Sequence, residues 1–252
     1  CTSCIEGNDN ICVNRMAFGY QYDGGFAEYV KVPASAIGNI HRIRDEIGFD
    51  EAAIVEPLAC CVNGQRKLNI RPGEKVFVLG AGPIGLFHIM LAKLSGAAII
   101  LVNEPNAERR KKALEFGATY AVDMNDKDLG DYVKKISDGQ GMDCGIIAAS
   151  LAPLINTGLG LLKKGGRINL FAGFNASTAE VSINLIHYNE LRISGTSSQK
   201  RLDFRDAMNL ANYKMRPLKK MVTHVYPLEA FDEASKIASN GEGLQVVIHP
   251  NH

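Results

Sequence analysis

The 252-residue chain has almost no net charge, with 28 Lys and Arg against 27 Asp and Glu. That balance lacks the electrostatic footprint of a polyanion-binding surface. No basic stripe interleaves with aromatics, so the sequence offers no nucleic-acid partner. Long apolar runs are missing too. The helix expected from Pro83 is interrupted by His88, Lys93 and Ser95, and no membrane partner is expected. There is no G-x-S-x-G elbow, which removes the commonest α/β-hydrolase reading. His41, His88, His187, His224, His249 and His252 form neither an H-x-x-H nor an H-E-x-x-H pair, so none marks a local zinc site. Repeats and low-complexity tracts are absent. No signal or transit segment is visible, and the chain opens on Cys1 rather than on methionine; the expectation is a cytoplasmic protein from which a front portion has been cut.

What is present is concentrated between residues 75 and 104. Lys75-Val76-Phe77-Val78-Leu79 reads as a buried strand and runs into Gly80-Ala81-Gly82-Pro83-Ile84-Gly85. A helical stretch follows, then a second apolar strand, Ile99 to Asn103, that ends at Glu104. This is the layout that holds a dinucleotide. Gly80 permits the turn out of the strand, Gly82 lets a pyrophosphate approach the backbone, and Gly85 lets the helix pack closely on the sheet. The helix start at Pro83 and Ile84 offers free N–H groups and a partial positive charge to phosphate. Glu104 lies 19 residues beyond Gly85, where its carboxylate would accept from the adenosine ribose hydroxyls. It would repel a 2′-phosphate, which favours NAD over NADP. Arg109 either lies along the adenine or belongs to the solvated face of the charged run Glu108 to Lys112.

With 46% hydrophobic residues, the chain can bury one large core or two smaller ones. β and α patterns alternate from Arg71-Pro72-Gly73-Glu74 onward. The expected helices cover Ala107–Phe116, Leu129–Ile136 and Leu154–Leu162; the further strands are Tyr120–Val122, Cys144–Ala149, Arg167–Phe171 and Leu191–Gly195. The fold class is therefore α/β, a doubly wound parallel Rossmann sheet in the order 3-2-1-4-5-6. Residues 1–57 and 197–252 fit no Rossmann strand and are assigned to a second, discontinuous domain, leaving 58–196 as the NAD-binding one. Within the flanks, Gly24–Val32 reads as a strand with one wet face. A helix opening at Asp50 is expected to break at Pro57 and resume from Leu58 to Lys67.

Three of six cysteines, Cys1, Cys4 and Cys12, crowd the first 12 residues. Their C-x2-C-x7-C spacing suits a metal better than a disulfide framework, though three reduced surface thiols is the alternative reading. Closed zinc sites take four ligands, and this one is short by one. Glu56, before Pro57, reads by itself as a helix-end acid.

Taken together these motifs resemble the zinc-dependent medium-chain dehydrogenases, in their polyol and threonine dehydrogenase branch. The resemblance covers essentially the whole chain. Beside the cysteines and the glycine-rich turn, it rests on Asp23-Gly24-Gly25-Phe26-Ala27-Glu28-Tyr29, Glu56-Pro57-Leu58-Ala59, Gly165-Gly166-Arg167 and the Thr223-His224 to Leu228 stretch. The resemblance implies that 1–57 and 197–252 are remnants of a mainly β, GroES-like catalytic domain. It makes Cys1, Cys4 and Cys12 the last three of four structural zinc ligands, with the first lying upstream and on the order of 100 residues absent in front. Glu56 becomes a catalytic residue facing a catalytic zinc. Phe171, Ala172, Gly173, Thr196, Ser197 and Ser198 become nicotinamide contacts. The implied reaction is hydride transfer from a zinc-bound secondary alcohol or polyol to NAD, with threonine or butanediol oxidation, or a non-catalytic NAD-binding remnant, as alternatives. A homodimer or homotetramer is implied, and a chain with Glu56 as its sole catalytic ligand is expected to be inactive as it stands. Where polyol dehydrogenases commonly place an arginine near Ser198, this chain has Ser197-Ser198-Gln199.

Overall fold

The computed structural model describes residues 1–123, 129–213 and 216–250. These residues divide into two compact units, 61–197 and 1–60 with 198–252.

In the 61–197 unit, apolar runs and turn residues alternate to build β1 (Lys75–Leu79), α4 (Pro83–Leu94), β2 (Ile99–Asn103), α5 (Ala107–Phe116), β3 (Tyr120–Val122), α6 (Leu129–Ile136), β4 (Met142–Ile147), α7 (Leu154–Leu161), β5 (Leu162–Leu170), α8 (Ile183–Asn189) and β6 (Arg192–Gly195). The six strands lie in the order β3-β2-β1-β4-β5-β6, as expected. Every pairing is parallel: Val78 stands opposite Val102 and Ile146, and Ile168 opposite Ile193. Because each strand is followed by a crossover, all carboxyl ends emerge at one edge. The core gathers Phe77, Leu79, Leu101, Met142, Ile147, Leu159 and Ile168, none more than 1% exposed. Local signals fix the helix ends. Asn106 caps α5 by accepting from the Arg109 N–H at 3.1 Å, and Gly117 ends it in the left-handed region at φ 119°. The expected sequence of strands is thus realised, with α8 as an addition that its short, half-polar run had hidden.

The other unit carries α1 (Thr2–Ile5), α2 (Phe49–Ala53), α9 (Arg201–Tyr213), α10 (Phe231–Asn240) and a two-stranded parallel sheet of β7 (Val222–Pro227) and β8 (Gln245–His249). Helix α3 (Val55–Leu68) begins in it and ends in the sheet-bearing unit. Two local expectations are corrected. The helix breaks at Ile54 rather than at Pro57, which falls in the first turn of α3. There its missing N–H has no intrahelical acceptor to lose. The stretch 24–32 forms no strand; no neighbouring strand among the described residues supplies the ladder its backbone requires. Phe26 and Tyr29 are accordingly 67% and 89% exposed. Among the described residues no helix is long and apolar enough to cross a membrane.

Candidate cofactor and metal sites

The glycine-rich turn leaves β1 at the carboxyl edge of the sheet. Gly80 adopts φ 101°, and a Cβ there would press on Ala149 at 3.2 Å. At Gly85 the constraint is absolute: a Cβ would sit 2.0 Å from the Gly80 carbonyl oxygen. Gly82 differs from both. It is extended, at φ −67° and ψ −177°, and a Cβ on it would have nothing within 4 Å. The open space above Gly82 is a cradle that a side chain would fill. No side chain caps α4, whose first residue is Pro83, so the first-turn N–H groups of Ile84 and Gly85 remain available to an anion.

Glu104 closes the other side of this turn. It is 5% exposed, and its Oε2 accepts from the Ala81 N–H at 2.8 Å while Oε1 accepts from Asn106 N–H at 3.0 Å. The acid therefore braces the loop it is expected to serve. Each carboxylate oxygen keeps acceptor capacity, so a ribose hydroxyl can still be received. Arg110, not Arg109, is tied to this strand end: its Nη1 donates to the Glu104 and Pro105 carbonyls at 2.8 and 2.7 Å and pairs with Asp123 at 3.2 Å. Arg109 is half-buried on α5. Beside Glu104, the buried Asn103 Oδ1 lacks a hydrogen-bond partner, a polar atom the sequence had not singled out.

Further along the same edge, the Phe171 and Ala172 N–H groups both donate to the Ile147 carbonyl, at 3.2 and 3.1 Å. Phe171 packs edge-on against His88 with centroids 4.5 Å apart, and its ring fills the position a Cβ on Gly64 would need, at 2.8 Å. Complete burial pushes the His88 imidazole down to about 3, so it is neutral at pH 7. Thr196 is held by the fully buried Asn169, whose Nδ2 donates to Thr196 Oγ1 and Ser194 Oγ at 2.9 Å each. Neither Asn169 nor the Gly64–Phe171–His88 stack was legible as site architecture, because each is made by residues far apart in sequence. Gly173 is exposed, and a Cβ on it would have nothing within 4 Å. Topology thus brings Gly80 to Gly85, Glu104, Phe171 to Gly173, and Thr196 with Ser197 to the carboxyl edge of one sheet. Ser198 falls in the other unit, in the left-handed region at φ 56°, with its hydroxyl donating to Gln199 Oε1 at 2.9 Å.

In that unit the three N-terminal thiols converge. Cys1 precedes α1 and Cys4 lies on it, one turn apart; a 3-10 turn over Asp9–Ile11 returns the chain so that Cys12 joins them. The sulfurs are 3.6 Å apart for Cys1–Cys4 and 3.8 Å for Cys1–Cys12, and all lie within 4.8 Å of one another. No disulfide joins them. A tetrahedral zinc with Zn–S of 2.3 Å has an S···S edge of about 3.8 Å, so the triangle fits three corners of such a site. The Asn14 N–H beside Cys12 lowers its thiol pKa, and the hydrogen bond with Cys12 raises that of Cys4.

Glu56 is not brought into a comparable group. It is exposed in the first turn of α3, where its Oε1 accepts from Cys60 Sγ at 3.5 Å. Burial, with help from the Glu56 carboxylate, pushes the Cys60 thiol up to about 12, and its Sγ also donates to Gln199 Oε1 at 3.1 Å. Among the described residues only Cys1, Cys4 and Cys12 gather three or more ligand atoms. One carboxylate does not hold a catalytic zinc.

A doubly wound sheet with an uncapped, glycine-opened helix start and a strand-end acid is the architecture of a dinucleotide-binding domain. Residues 83–213 match the zinc-binding dehydrogenase family model. The chain is 33% identical to a sorbitol dehydrogenase of Halalkalibacterium halodurans, covering 99% of this chain and 72% of that one. It is 31% identical to a D-arabitol-phosphate dehydrogenase of Enterococcus avium, covering 100% and 71%. A zinc-binding dehydrogenase from Sinorhizobium meliloti, solved bound to NADP, superposes with a TM-score of 0.89 at 30% identity over 99% of this chain and 73% of that one. The chain belongs to the zinc-binding dehydrogenase family.

Proposed function

We propose that the protein serves the oxidation of a secondary alcohol or polyol with NAD rather than NADP, with one zinc held by its three N-terminal thiols and a catalytic zinc to which this chain brings a single ligand. When bound, the nicotinamide supplies a hydride acceptor and zinc a Lewis acid. The chain's own residues bind and orient. The amide groups opening α4 and the free approach over Gly82 receive the pyrophosphate. Glu104 receives the ribose hydroxyls, with Arg109 at the adenine end. Phe171 to Gly173 and Thr196 to Ser198 frame the nicotinamide. Cys1, Cys4 and Cys12 hold the structural zinc, and Glu56 is this chain's contribution to the catalytic one. With that single ligand, the 252-residue polypeptide on its own turns over no alcohol.

The observation that carries the cofactor reading is Glu104, a buried carboxylate hydrogen-bonded to the Ala81 N–H of the turn itself. A 2′-phosphate beside it would meet like charge at low dielectric, costing upwards of about 1.4 kcal/mol, or tenfold. Calorimetric titration of the chain with NAD and with NADP tests this. NAD should bind at least about tenfold more tightly; equal or tighter NADP binding overturns the preference. Sorbitol-type polyols are favoured over threonine and butanediol because the sorbitol and D-arabitol-phosphate dehydrogenases, at 33% and 31% identity, match this chain better than the threonine dehydrogenases do, at 28–30%. The free thiols suit a reducing, cytoplasmic compartment. The outer edge of β6, which no strand covers among the described residues and where Ile193 is 38% exposed, favours a homo-oligomer, dimer or tetramer. Residues 58–196 serve the cofactor, and 1–57 with 197–252 belong to the catalytic part.

A further inference from the structure

The opposite edge of the same sheet, at the amino ends of its strands, holds a cavity of about 350 Å³. Five cations line it, Lys67, Arg71, Lys163, Arg167 and Arg192, against the single acid Glu74. The chain as a whole carries +1, so this is a pronounced local excess. Two of the five are neutralised locally. Arg167 pairs through Nη2 with Glu74 at 2.6 Å while its Nε donates to the Leu68 carbonyl at 2.6 Å, and Lys163 pairs with Asp143. The guanidinium of Arg167 is only partly spent, because Nη1 makes no hydrogen bond among the described residues. Its side chain is 16% exposed, so this unspent nitrogen belongs to a group largely withdrawn from water. Glu74 accepts also from the Arg71 N–H at 2.9 Å, on the same Oε2 that pairs with Arg167, so its one negative charge is already matched by one of the five cations. Lys67, Arg71 and Arg192 have no ion-pair partner among the described residues.

Pairing between β5 and β6 opens with Arg167 opposite Arg192, a cross-strand juxtaposition of like charge that is unfavourable unless an anion or a carboxylate relieves it. Glu74 relieves one member only. The cavity is also remote from the cofactor edge: Glu74 and Arg71 precede β1, whereas the glycine-rich turn follows it, roughly 15 Å away along the strand.

We propose that this cavity is a second ligand site, for a dianionic phosphate group, either free phosphate or a small phosphate monoester. Guanidinium forks match phosphate oxygens in pairs, and ammonium groups supply point charge. The volume suits a small molecule rather than a macromolecular surface.

The test uses the whole chain, by calorimetry and thermal denaturation with inorganic phosphate and with glycerol 3-phosphate. Potassium chloride at matched ionic strength is the reference, and saturating NAD is present throughout to cover the α4 helix start. Saturable binding and a raised melting temperature are expected with phosphate beyond the chloride response. The Arg71→Gln/Arg192→Gln variant, changed only at exposed side chains, should bind at least about tenfold more weakly, and Lys67→Gln should weaken binding in the same direction. Tighter binding of the ester assigns a phosphate monoester, and equal or better binding of inorganic phosphate assigns the free ion. A phosphate response no greater than that of chloride, or one retained in full by the double variant, overturns the proposal.

Discussion

Replacing Gly82 and Gly85 by alanine, one at a time, separates the binding role of the turn from its packing role. At Gly85 the added methyl would lie 2.0 Å from a main-chain carbonyl oxygen, well over an ångström inside contact distance. Main-chain atoms at a strand end cannot swing aside as a flexible side chain can, so α4 must lift from β1. Overpacking of this kind costs about 3 kcal/mol, which for a chain of this size lowers the melting temperature by about 6–12 °C. At Gly82 the methyl meets no protein atom within 4 Å and the backbone is already extended. Alanine is a poorer helix N-cap than glycine, so the change costs on the order of 1 kcal/mol, well short of the cost at Gly85. Its methyl nevertheless occupies the space over which a pyrophosphate must close on the α4 amides, and dinucleotide affinity should fall by about 100-fold, or 2.7 kcal/mol. Urea or thermal unfolding together with NAD titration reads both variants. If folded Gly82→Ala binds NAD as tightly as the parent, the cofactor does not rest on this turn, and the reasoning fails at its base.

Two further predictions concern buried and metal-binding groups. Zinc should bind the Cys1, Cys4 and Cys12 triangle with protection of three thiols, and Cys12→Ser should weaken it by at least about 100-fold; cobalt substitution, read by its thiolate absorption, would refute the triangle if the variant spectrum equalled the parent's. His88 has an imidazole whose folded pKa is depressed to about 3 from 6.5. The unfolded chain therefore takes up a proton that the folded one refuses: stability is full above pH 6.5 and is lost progressively as pH falls towards 3, by as much as about 5 kcal/mol. His88→Leu should flatten this slope in urea unfolding measured between pH 4 and 7, and an unchanged slope would assign the pH dependence elsewhere.

The parts of this molecule that local sequence announces are those whose physics is local. Gly80, Gly82 and Gly85 could be given separate tasks from spacing because a strand, a turn and a helix start fix where each backbone atom lies, and the open space at Gly82 against the blocked one at Gly85 follows that assignment. Asn106 and Gly117 likewise bound α5 by capping chemistry alone. Legibility fails where the deciding partner is distant. The stretch 24–32 alternates like a strand, yet pattern supplies only a face; the ladder needs a neighbour, and none lies beside it among the described residues. β7, a half-polar run, becomes a strand because β8 pairs with it in parallel. Glu104 was legible as an acid at the correct strand end, but its bond to Ala81 N–H was not, and that bond alters its role from a waiting acceptor to part of the turn's own frame. The basic cavity is the extreme case: Lys67, Arg71, Lys163, Arg167 and Arg192 form three separate stretches of sequence, each unremarkable as surface charge. Only the parallel sheet assembles them. The same topology that sends every strand's carboxyl end to the cofactor edge must send every amino end to the other, so one sheet presents two chemically distinct edges, and a charge excess at the second is a property of the fold that no linear window can contain.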